Sequence, residues 1–313
     1  MGNFHNYRTL QVELWEDCNY HCPFCYLGEN RRTTTSEQKL EAIKKTNEIL
    51  DKVDDKYDAF GIIGGEFFDN QLNTAELVAS FKNLISRLDA MPNFKQVWIT
   101  SALMTDVNKM FTYTLADVKD RNKFLICTSY DTVGRFKTNK VRDLWFHNIE
   151  CIKQMGFKVH IQTILTSDFI DEALTTNILE QLSNDTMVDF KTPTPQRDAY
   201  IDAVLNKDGR TYREIIKENM VKFSPTFFIT DRNKFLEFMV KVKEVFGPEK
   251  IEAFCSNEVR SDELHLISKG IVIKDRWGDG IENAPCGHPW DSYCYANSEK
   301  CARCDAQNLL EDE

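Results

Sequence analysis

No run of apolar residues approaches the roughly 20 that a bilayer-spanning helix needs. The opening, Met1-Gly2-Asn3-Phe4-His5-Asn6, has no secretory h-region, and Asn6 stands where the myristoylation pattern requires Ser or Thr. The expectation is a soluble, cytoplasmic protein without a membrane partner. An excess of positive charge is missing too: 49 acids outnumber 39 bases, for a net charge of -10. That balance excludes a protein that coats nucleic acid through its overall field, although a local basic groove is compatible with it. There is no internal repeat, no low-complexity segment and no evident Ser–His–Asp constellation. Disorder is excluded by composition, because charged residues reach only 28% beside abundant Phe, Ile, Leu and Val.

What the chain does have is length and cysteine. Its 313 residues suffice for one large domain or two ordinary ones, with a substantial buried core. Ten cysteines in a chain of this size with no export signal read as metal ligands rather than disulfides. Cys18, Cys22 and Cys25 form one group, and Cys286, Cys294, Cys301 and Cys304 a second. Cys127, Cys151 and Cys255 lie in apolar surroundings and read as buried, inert thiols.

Short β-rich runs at 10–14, 59–64, 96–101, 123–128, 157–165 and 187–191 alternate with helical patterns at 36–51, 73–90 and 144–155. Ser36 is positioned to cap the first helix, and Gly156 to end the third before its strand. Such alternation over about 190 residues implies parallel βαβ units covered by helices. From Thr192 the pattern gives way to a polar loop with an inserted helix. A further amphipathic helix opens at Asp231, runs through Phe235, Phe238 and Val242, and stops at Gly247-Pro248. A strand or hairpin over 265–274 leads to the second cysteine group.

Cys18-x3-Cys22-x2-Cys25 follows the first strand, with Phe24 directly before the last cysteine. Three thiolates on one loop can hold three irons of a [4Fe–4S] cube and leave the fourth open. A zinc half-site completed by His21 or a distant cysteine is the competing reading. Spacing, strand position and the aromatic together resemble the radical S-adenosylmethionine (SAM) superfamily. Gly64-Gly65-Glu66-Phe67 ends the second strand where that family carries Gly-Gly-Glu-Pro, Phe67 replacing the proline. The resemblance spans about 8–191 and implies an α/β fold, a partial TIM barrel of about six βα units, with its site at the C-terminal strand ends.

It also implies SAM as cofactor, cleaved by an electron from the cluster into methionine and a 5′-deoxyadenosyl radical that abstracts hydrogen from a substrate. Among site residues it implies Gly64, Gly65 and Glu66 along the methionine end, Glu66 accepting from the ammonium group. Thr100 and Ser101, ending the third strand, and Ser129 and Arg135, after the fourth, fall where relatives hold the ribose and the carboxylate. Arg142 rivals Arg135 for the carboxylate, and Phe24 with Tyr26 is suited to flank adenine.

Cys286, Cys294, Cys301 and Cys304, ending in a Cys-x2-Cys knuckle, close a four-thiolate site for an auxiliary [4Fe–4S] cluster, favoured over zinc. The segment partly resembles the SPASM and twitch extensions of radical enzymes, and His288 beside it reads as a surface residue. The expected organisation is a radical SAM partial barrel at 1–191, a helical connecting region at 192–260 and a small C-terminal cysteine-rich metal-binding extension at 261–313. The substrate classes open to it are a peptide or protein side chain, a nucleotide or nucleic-acid base, and a small molecule for isomerisation, with flavodoxin or ferredoxin as reductant. The short stretch before Cys18 disfavours the ribosomal-peptide branch. Outside enzymes, a zinc-binding scaffold or an electron-transfer protein would carry the same cysteines.

Overall fold

The computed structural model describes residues 9–20, 22, 25, 33–53, 55, 57–68, 71–106, 108, 111, 114–132, 134–183, 187–191, 231–246, 264–267 and 270–275. Six strands, β1 (Thr9–Glu13), β2 (Ala59–Ile63), β3 (Gln96–Thr100), β4 (Phe124–Tyr130), β5 (Lys158–Ile164) and β6 (Met187–Lys191), lie side by side in chain order and all parallel. The helices are α1 (Ser36–Leu50), α2 (Ala75–Ala90), α3 (Asn139–Gln154), α4 (Ser167–Thr175), α5 (Ile178–Ser183) and α6 (Arg232–Phe246). This is the expected helix-covered parallel sheet of βα units. Two more strands extend it: β7 (Leu264–Ile267) pairs parallel to β1, and β8 (Gly270–Asp275) pairs antiparallel to β7. The hairpin over 265–274 therefore forms, and it docks on the free edge of β1, which nothing in its own pattern announces.

Side chains alternate across each strand, so one sheet supplies two apolar layers. Phe60, Ile62, Val97, Ile99, Phe124 and Ile126 join the large core together with Leu77, Phe81, Leu84 and Leu88 of α2. Ile63, Trp98, Leu125 and Cys127 face the other way and form a separate buried cluster. Burial on both faces is what a parallel sheet requires, and it explains the continuous apolar runs of β2 and β4.

Local signals set the helix ends. α1 is capped by Thr35 rather than by Ser36, because Thr35 Oγ1 accepts from Gln38 N (3.3 Å) while Gln38 Oε1 accepts from Thr35 N (2.9 Å), a reciprocal capping box that Ser36 cannot make. α3 begins five residues before the expected 144, since Thr138 Oγ1 accepts from Val141 N and starts it at Asn139. Gly156 closes α3 as expected. Its φ of 85° and the bonds Gly156 N–H to Lys153 O (2.9 Å) and Phe157 N–H to Ile152 O (3.2 Å) make a Schellman motif. Buried Lys123 donates to the carbonyls of Leu88, Asp89 and Met91 and so terminates α2; burial holds its ammonium below the usual lysine range. α6 covers the last units, with Phe238 packed edge-on against Phe169 and Lys241 donating to Ala173 O and Thr176 O at the end of α4.

Of the thiols expected to be inert, Cys127 is buried, 3.7 Å from His160 Nδ1. Cys151 is only partly buried, because it sits on the flank of α3, 3.5 Å from His147 Nε2. Cys255, the inserted helix after Thr192 and the whole second cysteine group lie outside the described residues.

Candidate active site at the carboxyl ends of the strands

The residues singled out for chemistry converge because each follows a parallel strand at the same end. Cys18, Cys22 and Cys25 come after β1, Gly64 to Glu66 after β2, Thr100 and Ser101 at the end of β3, and Ser129 to Arg135 at the end of β4. Parallel α/β sheets generally place their ligands there.

The cysteine loop is anchored at its base. Beyond β1 the ladder continues irregularly: Leu14 N–H donates to Ile63 O (3.2 Å), Gly65 N–H to Trp15 O (2.7 Å) and Glu66 N–H to Asp17 O (2.8 Å). A Cβ on Gly65 would stand 1.8 Å from Asp17 O, and one on Gly64 (φ 145°) 2.2 Å from Trp15 O. Both glycines are therefore required by the approach of the chain's own backbone, whereas the motif alone suggested approach to a ligand.

Glu66 is buried, 2% exposed. Its Oε1 accepts from Phe68 N (2.9 Å) and Ser101 Oγ (2.8 Å), and its Oε2 from Ala102 N–H. Ser101 Oγ in turn accepts from Leu103 N at 3.2 Å, fixing Leu103 in a left-handed turn with φ 52°. This carboxylate thus ties the end of β2 to the end of β3. The Thr100 hydroxyl donates back to Ile62 O at 3.3 Å.

Arg135 and Arg142 have different surroundings. The Arg135 guanidinium hydrogen-bonds Cys22, its Nη1 donates to Ser129 O (3.0 Å), and its Nε lies 3.3 Å from Asp131 Oδ2. Asp131, with a wholly buried side chain, also accepts from Arg135 N through Oδ1. Burial works against the guanidinium charge, but Cys22, Asp131 and Glu66 beside it outweigh burial and raise its pKa. Burial pushes the Cys22 thiol up, and Arg135 counteracts this. Arg142 instead pairs with Glu172 Oε1 (3.3 Å), which also accepts from Tyr130 OH (2.9 Å), while Thr132 Oγ1 donates to Glu172 Oε2 (2.8 Å).

Several contributors escaped the sequence reading. Asp17, Thr34, Lys39 and Gln71 clamp the loop, and Asp131 orients Arg135. For Asp131 a signal existed, the i,i+4 spacing to Arg135; for Asp17 the only hint was its place directly before Cys18. Phe24 and Tyr26 lie outside the described residues.

The donor set fits an iron–sulfur cluster. Cys18, Cys22 and Cys25 are partly buried thiols on one loop, with Cys25 N–H donating to Cys22 O (3.1 Å), and a cationic side chain lies beside one of them. Among the described residues no three His, Cys, Asp or Glu side chains gather as ligands of one ion.

Comparison with known proteins agrees. Residues 9–143 match the family described as a 4Fe-4S single cluster domain. Native anSMEcpe with bound AdoMet and a Kp18Cys peptide superposes with a TM-score of 0.54 at 11% identity, covering 96% of this chain and 82% of that one. Streptococcus suis SuiB bound to precursor peptide SuiA gives a TM-score of 0.45 at 13% identity, over 98% of this chain and 72% of that one. No protein with a curated description matches the chain. Residues 9–143 thus resemble a 4Fe-4S single cluster domain, and the chain shares the fold of the anSMEcpe structure.

Proposed function

We propose that this enzyme cleaves SAM reductively at a [4Fe–4S] cluster held by Cys18, Cys22 and Cys25, and uses the resulting radical on a peptide or protein side chain. The observation that carries the reading is Arg135. It is a largely buried, permanently charged fork beside the thiol of Cys22, flanked by Ser129. A guanidinium there can pair bidentately with the carboxylate of a methionine moiety.

When bound, a cluster with one iron not ligated by protein supplies an electron to the SAM sulfonium, giving methionine and a 5′-deoxyadenosyl radical. The chain's own residues bind and orient. Ser129 and Arg135 take the carboxylate. Gly64 and Gly65 present backbone along the methionine end, and Glu66 holds that edge to β3 while offering negative charge to the ammonium. Thr100 and Ser101 stand toward the ribose, and Phe24 flanks adenine. Cys286, Cys294, Cys301 and Cys304 hold an auxiliary [4Fe–4S] cluster, or else a structural zinc, and a flavodoxin or ferredoxin delivers the electron. The peptide in the anSMEcpe structure supports the substrate class.

The test is anaerobic reconstitution, metal and sulfide analysis, and an assay for 5′-deoxyadenosine with SAM and dithionite. Formation of deoxyadenosine, its loss in Cys22→Ala, and its acceleration by members of a peptide library are expected. About four irons per chain with one zinc make the C-terminal site structural, and about eight make it a cluster. Zinc alone, with no deoxyadenosine, overturns the reading.

A further inference from the structure

Asp17 stands directly before the first cysteine of the loop, and its carboxylate reaches across to the far side of that loop. Both oxygens accept from Thr34 N–H, at 3.0 and 3.1 Å, across 17 residues of sequence. The peptide carbonyl of the same residue accepts from Glu66 N–H, so Asp17 is fixed through main chain and side chain at once. On its other side lies Lys39 of α1, whose Nζ is 3.8 Å from Asp17 Oδ2, 2.8 Å from Gln71 Oε1 and 5.5 Å above the Trp15 ring. Lys39 is buried, 4% exposed, and Asp17 nearly so. A lysine is rarely buried without a partner, and here its charge is spent on this one carboxylate and a neighbouring amide.

We propose that Asp17, backed by Lys39 and Gln71, is a positioning residue that latches the two ends of the cysteine loop together and so presets it to hold the cluster. The inference rests on the assignment of Cys18, Cys22 and Cys25 as cluster ligands. Three independent elements meet at the latch: the exit of β1, the start of α1 and the connection between β2 and α2. A loop whose ends are already joined loses less conformational freedom when it binds its cluster, and opens less readily to let iron go. Groups behind the ligands commonly govern metal retention in this way.

The experiment measures the rate at which an iron chelator bleaches the 400 nm absorbance of the reconstituted full chain, together with thermal unfolding of the cluster-free protein. Asp17→Ala is expected to lose iron about tenfold faster than wild type, the rate equivalent of one hydrogen bond to a charged group. Asp17→Asn, which keeps an acceptor for Thr34 N–H but not the charge beside Lys39, is expected to fall between them. Asp89→Ala is the control. Asp89 makes the same kind of bridge, accepting from Lys119 N (2.8 Å) and Asp120 N (3.2 Å), but remote from the cysteines. It is expected to lower the unfolding temperature without changing the bleaching rate. Bleaching of Asp17→Ala at the wild-type rate, or equal acceleration in Asp89→Ala, overturns the latch. A wild-type chain that never acquires the 400 nm band overturns the ligand assignment along with it, and that result is visible before any variant is made.

Discussion

The guanidinium of Arg135 touches the thiol of Cys22 on one side and is braced by the carboxylate of Asp131 on the other. The brace spans one helical turn of sequence and is out of reach of solvent, so the fork has little freedom to swing away. A lysine at this position keeps the charge but offers a point donor in place of a planar fork. Arg135→Lys is therefore expected to weaken SAM binding by about 10- to 100-fold while the iron content stays at the wild-type level. Equilibrium dialysis of SAM against the reconstituted protein measures this, and an unchanged affinity would remove Arg135 from the site.

Much of this site could be read before any coordinates. The strands, and the place of the cysteines after β1 and of the Gly-Gly-Glu run after β2, were legible because each depends on local sequence that a βα unit must repeat. What could not be read is pairing across the chain. Glu66 reads as a ligand for an ammonium group, yet its oxygens are engaged by Phe68, Ser101 and Ala102, a contact spanning 35 residues to Ser101. The glycines before it look like room for a ligand, and the space is filled by the backbone of Trp15 and Asp17. Arg135 and Arg142 are indistinguishable as letters. Only the fold turns one toward Cys22 and the other toward Glu172. The docking of β7 on β1 is likewise a long-range event that a four-residue strand cannot encode in its own pattern.

Tyr130 gives the fold an alkaline limit. Its hydroxyl donates to Glu172 Oε1, and burial first, then the Glu172 charge, raises the phenol above its ordinary value of 10.0. A folded-state pKa above the unfolded one means that the stabilisation is complete below about pH 10 and is lost as pH rises through the folded value. In that window the unfolded chain releases a proton that the folded chain keeps. Tyr130→Phe loses one hydrogen bond, about 1 kcal/mol at neutral pH. It should also lack the single-proton slope of about 1.4 kcal/mol per pH unit above pH 10. Urea unfolding of both proteins at about pH 8 and about pH 11 decides the matter: the gap between them should narrow or reverse at the higher pH, and a constant gap would show that Tyr130 does not govern the slope.

Gly65 bears the tightest contact described for any glycine in the chain, and the group it meets is the backbone oxygen of Asp17, which cannot rotate aside. An added methyl would have to push the β2 exit away from the cysteine loop, straining or breaking the bonds Gly65 N–H to Trp15 O and Glu66 N–H to Asp17 O. Overpacking of about 1–3 kcal/mol and two weakened hydrogen bonds of about 1 kcal/mol each then fall on the anchor of the loop itself. Gly156 offers the contrast. Its φ of 85° disfavours a side chain, but a Cβ there meets only the flexible Arg121 side chain at an ordinary 3.4 Å. Gly156→Ala should cost about 1–2 kcal/mol through backbone conformation alone and leave the cluster in place. Gly65→Ala should lower stability more and bind iron poorly even in the fraction that folds, because the damage lies at the base of Cys18 rather than at the end of α3. Unfolding temperature and iron per folded chain, measured together on the two variants, separate a local effect on the loop from a general loss of stability; equal iron retention in both would mean that the glycine contact does not position the cysteines.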